Sequence, residues 1–286
     1  MMQSSTGHRI VVWLGVAVLL LWSLGPIYWN LVSSVTPSDD FSARPIHFFP
    51  QHFTIHHFER LLGINVGQLG ETQVWSQFRA ALWNSVITSF ASTVVCVAMS
   101  ALGGYAFTRL NFPGRQTLFI AVVATLAIPG YAVLIPLYRL MISLHQVDTV
   151  TGITAIYVSA YLPLSLWLLR SVFEQLPISL EEAAQLDGAG KLYIFFRIVL
   201  PLVGPGLTAA SILTFLGAWG QYLVPLIFSP SATKPLTVLI PEFATKNFID
   251  YGLITAAGSI AIIIPALVVI FLNRYLVSGL LAGSIK

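Results

Sequence analysis

Long apolar stretches separated by short polar ones dominate this chain. Six windows stay apolar for roughly 20 residues, the length that crosses the hydrocarbon of a bilayer: 10–32, 83–107, 117–138, 150–170, 203–228 and 253–275. Continuous apolar runs, as opposed to ten-residue alternation, predict helices and not an outer-membrane barrel. The second window is diluted by Asn84, Ser85, Thr88, Ser89, Ser92 and Thr93. Small and hydroxylated residues of that kind favour a helix contact or a cavity wall over a lipid face. Between the fourth and fifth windows, over 171–202, the pattern changes. EEAAQLDGAG, residues 181–190, places Glu181, Glu182 and Asp187 among small residues. A hairpin needs only a few residues, so a connection this long forms an element of its own.

Local signals predict that element. Ser179 and Glu182 fit the Ser-x-x-Glu capping box, and Pro177 ends what precedes. Residues 180–186 are good helix formers, and Gly188 stands where a left-handed C-cap would stop them. A helix of about two turns is not stable alone in water, so it must pack against something. Ala183 and Ala184 leave a low profile, Glu182 and Asp187 supply charge at the edges, and Gly188 with Gly190 permits a sharp turn. Leu200 and Pro201 open the next span. Two readings fit: a rigid strut moved by a partner, or a connector lying on the headgroups.

Composition supports the membrane reading: 56% of the 286 residues are hydrophobic and 9% are charged, against roughly 45–50% and 25% in soluble domains. The first window is too long for a signal-peptide core and lacks a cleavage site after it, so a retained anchor is expected. The net charge of +3 comes with no basic run, which argues against nucleic acid. Cys96, the single cysteine, lies in the second span and reads as a buried thiol. Six spans put both ends on one side. That side would carry Arg9, Arg109, Arg115, Arg170, Lys191, Arg197, Arg274 and Lys286; the other carries Arg44, Arg60, Arg79, Arg139, Lys234 and Lys246. The excess predicts both ends, and 171–202, in the cytoplasm, with 33–82 outside.

Residues 182–201, EAAQLDGAGKLYIFFRIVLP, resemble the "EAA" motif of permease subunits in binding-protein-dependent ABC importers. The match includes Glu182, Ala183, Ala184, Asp187, Gly188, Ala189, Phe195, Leu200 and Pro201. RLNFPGR (109–115), FPQHFTIHHFERLL (49–62) and the ending GLLAGSIK (279–286) are similar to segments of sugar-importer permeases of the MalG type. The resemblance implies an all-α membrane protein: one permease domain over 1–286, in the type I ABC importer fold, with six transmembrane helices. Its coupling helix would lie between helices 4 and 5 and dock in a groove of an ATP-hydrolysing subunit. It further implies two such nucleotide-binding subunits, a second permease chain and an extracytoplasmic solute-binding protein in a prokaryotic inner membrane. The expected coupling residues are Glu182, Ala183, Ala184, Asp187, Gly188, Leu200 and Pro201. Where relatives often carry Trp-Asn-Asp/Glu-Phe/Tyr, this chain has Trp219, Gly220, Gln221 and Tyr222; His57 stands where Asn is common.

Other patterns are weaker. DGAGKL (187–192) lacks the Gly at 185 and the Ser/Thr at 192 that a phosphate-binding loop requires. ATP and Mg are therefore expected on a partner, and no cofactor in this chain. His47, His52, His56 and His57 crowd the first outer segment, and His52 and His56 could share a helix face. With phenylalanines interleaved and no Cys or Asp among them, packing at the membrane interface is the expectation, not a metal. Most of the aromatic residues read as lipid-interface anchors. Trp219 and Tyr222 flank Gln221, and with Asn84 they are the candidates for a solute pathway, since aromatic faces beside an amide suit a polyol. Pro129-Gly130 and Pro136 make the third span the one expected to break. No Asp, Glu or Lys occupies the middle of a span, against a proton-coupled transporter, and the histidines lie outside the central spans, against an intramembrane enzyme. The chain is expected to borrow its energy, passing a sugar, oligosaccharide or related polyol by alternating access.

Overall fold

The computed structural model describes residues 6–42, 49–50, 52–64, 69–244 and 249–283. In chain order its helices are α1 (Thr6–Ser34), α2 (His56–Leu62), α3 (Leu69–Arg109), α4 (Arg115–Ala124), α5 (Leu134–Ser143), α6 (Val150–Glu174), α7 (Ser179–Leu186), α8 (Lys191–Tyr193), α9 (Leu200–Leu202), α10 (Gly204–Trp219), α11 (Leu223–Phe228), α12 (Leu236–Glu242) and α13 (Tyr251–Gly283). Ile194–Val199, between α8 and α9, is π-helical, so the run from Lys191 to Leu202 is continuous. Among the described residues the β structure is one isolated bridge, Ala244 to Ile249.

Among the described residues, four helical stretches are long and apolar enough to cross a membrane unaided: Arg9–Ser34, Gln73–Arg109, Val150–Glu174 and Tyr251–Arg274. Up to two more arise if each of two bent pairs is one span: Arg115–Ala127 with Gly130–Ser143, bent by 96°, and Lys191–Leu202 with Gly204–Trp219, bent by 75°. The first break follows from Pro129. A proline pushes the preceding residue out of the helical region, and Ile128 is extended, with ψ 122°. Pro136 sits in the first turn of α5, where its missing N–H costs nothing. Pro26, Pro163 and Pro265 lie inside helices that continue through them.

The fifth window, 203–228, is not the single helix expected. Its helix ends at Trp219, and α11 starts only at Leu223. Pro225 explains the interruption: in a continuous helix its nitrogen would have to donate to the carbonyl of Gln221, and it has no hydrogen. The Thr237 hydroxyl donates to that carbonyl instead, at 2.6 Å. At the other end of this stretch Pro201 and Pro205 flank the bend at Val203.

By packing, the described chain forms two compact units, Met1–Arg79 with Leu239–Ile263 and Ala80–Val238 with Ile264–Lys286. In the first, Asn30 of α1 donates to the Ser259 hydroxyl (2.9 Å) and the Thr255 carbonyl (3.2 Å) of α13, an interhelical link of the kind that replaces the hydrophobic effect between apolar helices. Asp250 accepts from the Leu253 amide (2.9 Å), capping α13, and from Arg60 of α2 (2.8 Å). His57 is buried, with Nε2 3.0 Å from the Thr36 carbonyl and its ring against Gly252, where a Cβ would collide with it. His52 and His56 do not share a helix face, because α2 begins at His56; they lie exposed beside Asp40 and Glu59 at 3.5 and 3.6 Å. His47 lies outside the described residues.

The second unit is built on α6 against α10. Gly206 lies under Val172 and Gly217 under the Tyr161 ring, so the two backbones approach closely. The hydroxyls of Ser165 and Thr214 meet at 3.0 Å in the buried contact, and Thr214 donates to the sulfur of buried Cys96 at 3.9 Å. Towards one end of this pair, Leu169, Phe173, Ile194, Phe195, Val199 and Val203 form a buried cluster with Ala101 of α3 and Ala184 of α7. That cluster seats α7.

Candidate functional site

α7 has eight residues, Ser179 to Leu186. The expected capping box does not form. Ile178 already has helical φ and ψ, and the carbonyls of Pro177 and Ile178 accept from Leu180, Glu181 and Glu182; Ile178 is the N-cap, with no side-chain cap, and Ser179 stands inside the first turn. The C-terminus closes as its sequence suggests. Gly188 has φ +84°, its amide donates to Gln185 and the Ala189 amide to Ala184. This paired pattern ends a helix on a left-handed residue.

The helix has two chemically different faces. Glu181 and Ala184, three residues apart, are buried. Glu182, Ala183, Gln185, Leu186 and Asp187 are exposed, as is Gly188. Ala183 and Ala184 therefore have separate fates: Ala184 belongs to the core of this chain, and Ala183 faces out. Leu186 is 89% exposed, Leu192 74% and Tyr193 59%, apolar side chains that the described residues leave largely uncovered. Leu200 lines an apolar groove of about 770 Å³ together with Phe90, Val94, Phe196, Phe215 and Phe271; Pro201 is exposed beside it.

Sequence reasoning passed over the residues that fasten α7 in place. Arg109, the last residue of α3, donates from Nε to Glu181 at 2.5 Å and from Nη2 to the Leu176 carbonyl at 2.7 Å. The Tyr105 hydroxyl donates to the other Glu181 oxygen at 2.8 Å. A signal was available: in a chain with so few charges, a doubled Glu at a helix start invites a search for the cation that faces one of them. Which Glu it would be was not legible, because α7 starts one residue earlier than its sequence suggests.

The pathway candidates lie towards the opposite end of α6 and α10. Gln221 donates from its amide to the Tyr161 hydroxyl at 2.6 Å. Trp219 is 9% exposed and stacks on Phe215, with ring centroids 5.7 Å apart, whereas Tyr222 is 45% exposed. Asn84 does not join them. Its amide donates to the carbonyls of Ala232 and Lys234, both at 3.0 Å. The connection between Asn84 and Gln221 is indirect, through the 229–237 segment: Asn84 holds its carbonyls, Ser85 accepts from its Leu236 amide at 2.8 Å, and its Thr237 bonds Gln221.

A residue outside the expected set completes this segment. Asp148, itself at φ +58°, accepts from the amides of Ala232 (2.8 Å) and Thr233 (3.0 Å), from the Thr233 hydroxyl (3.0 Å) and more distantly from the Ser231 amide (3.4 Å). Burial pushes its carboxyl up, but these donors outweigh burial and hold it below its ordinary value. Asp148, just before α6, and Asn84, within α3, thus grip donors and acceptors of one loop from two different elements.

Comparison with known proteins gives a consistent result. Residues 98–281 match the family described as binding-protein-dependent transport system inner membrane component. The trehalose transport system permease protein SugB of Mycobacterium tuberculosis is 32% identical, with 98% of each chain covered. The trehalose/maltose transport system permease protein MalG of Thermococcus litoralis is 30% identical, over 100% of this chain and 99% of its own. Among solved structures, a bacterial ABC transporter involved in import of the acidic polysaccharide alginate superposes with a TM-score of 0.79 at 20% identity, covering 96% of this chain and 99% of the other.

Proposed function

The chain belongs to the permeases of binding-protein-dependent ABC importers, and from that premise we propose that α7 is its coupling helix and that the chain passes a sugar, oligosaccharide or related polyol across the membrane. The observation that carries this is the outward face of α7. A short helix is anchored on one side by Glu181 and Ala184 and offers Glu182, Ala183, Leu186 and Asp187 to solvent. Leu186, Leu192 and Tyr193 add apolar surface of the kind that marks a protein interface. On this reading an ATP-hydrolysing subunit docks there. Glu182 and Asp187 make its polar contacts, Ala183 permits close approach, and Gly188 makes the turn that returns the chain to the membrane.

Energy then comes from outside the chain, with ATP and Mg held by two nucleotide-binding subunits. Closure of those subunits moves α7 from the cytoplasmic side. A second permease chain completes the pathway, and a solute-binding protein delivers the solute on the opposite side. Two features of the fold suit alternating access: the 96° and 75° breaks, which allow the segments on either side to move separately, and the π-helical turn that follows α8, a form that recurs at functional sites. The solute class rests on relatives whose names concern trehalose and maltose. Trp219, Gln221 and Tyr222 are the pathway candidates in this chain, with Asn84 shaping the loop above them.

The test is purification of the tagged chain from its native membrane in mild detergent, followed by mass spectrometry of what remains bound. An ATPase subunit and a second permease are expected, and Leu186→Glu should release the ATPase subunit and keep the second permease. A chain that purifies alone and moves solute on an ion gradient in liposomes would overturn the reading.

A further inference from the structure

Connectivity alone joins α7 to α6 on one side and to the Lys191–Leu202 run on the other. The structure adds a third attachment, to α3. Both oxygens of Glu181 are taken by that helix, one by Arg109 and one by Tyr105 a turn earlier. Arg109 also holds the Leu176 carbonyl just past the end of α6. The Tyr105 ring stands edge-on to Phe173 of α6, with centroids 5.9 Å apart, and tilted against Phe195 of the π-helical turn at 5.0 Å. The Arg109 and Glu181 side chains are 11% and 6% exposed.

A buried ion pair is a poor device for stability alone, since apolar residues of similar volume replace such pairs at little loss. It is a good device for fixed geometry, because a carboxylate with both oxygens engaged cannot slide relative to its donors. Glu182, the neighbouring acid, points outward and is free for a partner, so the two glutamates divide the work. We propose that Arg109, Tyr105 and Glu181 form a strut that delivers the displacement of α7 to α3. In this proposal α3 is driven directly, and not only by way of α6 and α10, and the three are positioning residues. The proposal rests on the reading of α7 as the coupling helix.

The experiment uses the complete transporter in detergent and needs no transported solute. In a Cys96→Ser background, Ala80→Cys places a thiol at an exposed position near the far end of α3 from Arg109. Its labelling rate by a maleimide is compared with and without ATP, Mg and vanadate. The parent should change several-fold. Glu181→Gln and the paired apolar exchange Arg109→Met with Glu181→Met should keep the ATPase subunit bound and ATP hydrolysis within about two-fold, yet lose most of the labelling change. Tyr105→Phe, which removes one hydroxyl, should reduce the change in part and serves if the charged variants fail to fold. A full labelling response in the apolar pair would overturn the strut, because it would show that filling the space is sufficient. So would a full response in both Glu181→Gln and Tyr105→Phe. Failure of the parent itself to bind an ATPase subunit would instead overturn the coupling-helix reading.

Discussion

Gly188 is the residue at which backbone geometry and proposed coupling meet. Its φ of +84° has no steric neighbour to explain it: a Cβ there would meet nothing within 4 Å. The constraint is therefore conformational, and a β-branched residue in that region costs about 1–2 kcal/mol. Gly188→Val should leave membrane insertion and expression intact and uncouple ATP hydrolysis from uptake. Gly188→Asn, which tolerates the left-handed region, should retain most coupling. Normal uptake by the valine variant at normal expression would remove Gly188 from the coupling set. Asp148 offers a second residue-scale test. Its folded pKa is lowered, so its contribution is complete above the ordinary value of 3.8 and is lost as pH falls through the lower folded value. Hydrogen exchange at Ala232 and Thr233 should thus show undiminished protection by the carboxylate from pH 8 down to about pH 5. Asp148→Asn should raise that exchange roughly ten-fold throughout, as expected from losing about 1–2 kcal/mol of charged hydrogen bonding.

At the scale of elements, the α6–α10 contact is the part of the fold least tolerant of added volume. Gly217 leaves space for a Tyr161 ring whose hydroxyl is held by Gln221, and a Cβ there would fall 2.6 Å from a ring carbon. Gly217→Leu must displace that ring, at a cost of about 1–3 kcal/mol. A lower unfolding temperature in detergent is expected, together with a changed environment for Gln221; an unchanged melting profile would show that the two helices can separate freely. Most elements were legible in the apolar windows, and the break in the third span was legible at Pro129. The interruption at 220–222 was missed, although its cause is local. Pro225 strips a donor from Gln221, but whether a helix bends or stops at such a point depends on who replaces that donor, and Thr237 lies far along the chain. The capping box failed for a similar reason: the carbonyls of Pro177 and Ile178 took up the first amides before Ser179 could act.

For the whole molecule, the expected arrangement of sides, with both ends in the cytoplasm, rests on six spans and on the excess of Lys and Arg on that side, and it can be tested directly. In a Cys96→Ser background, which removes the buried thiol, cysteines introduced as Asp187→Cys and Ser231→Cys fall on exposed positions at opposite ends of the second unit. In intact cells a membrane-impermeant maleimide should label position 231 and not 187, and inside-out vesicles should reverse the result. Labelling of both from the same side would overturn the topology and, with it, the cytoplasmic docking of α7.

The membrane class, the apolar helices, the position of α7 and its Gly188 terminus are determined by the sequence itself, because each depends on residues close together: apolar run length, proline spacing, or a glycine after a helix. The inward turn of Glu181, the separate fates of Ala183 and Ala184, and the grip of Asp148 and Asn84 on one loop were decided by tertiary structure. Arg109 and Glu181 are 72 residues apart, and Asn84 and Lys234 are 150 apart. A buried charge or an unpaired carbonyl must find a partner, but local pattern does not say which distant group will be folded within reach.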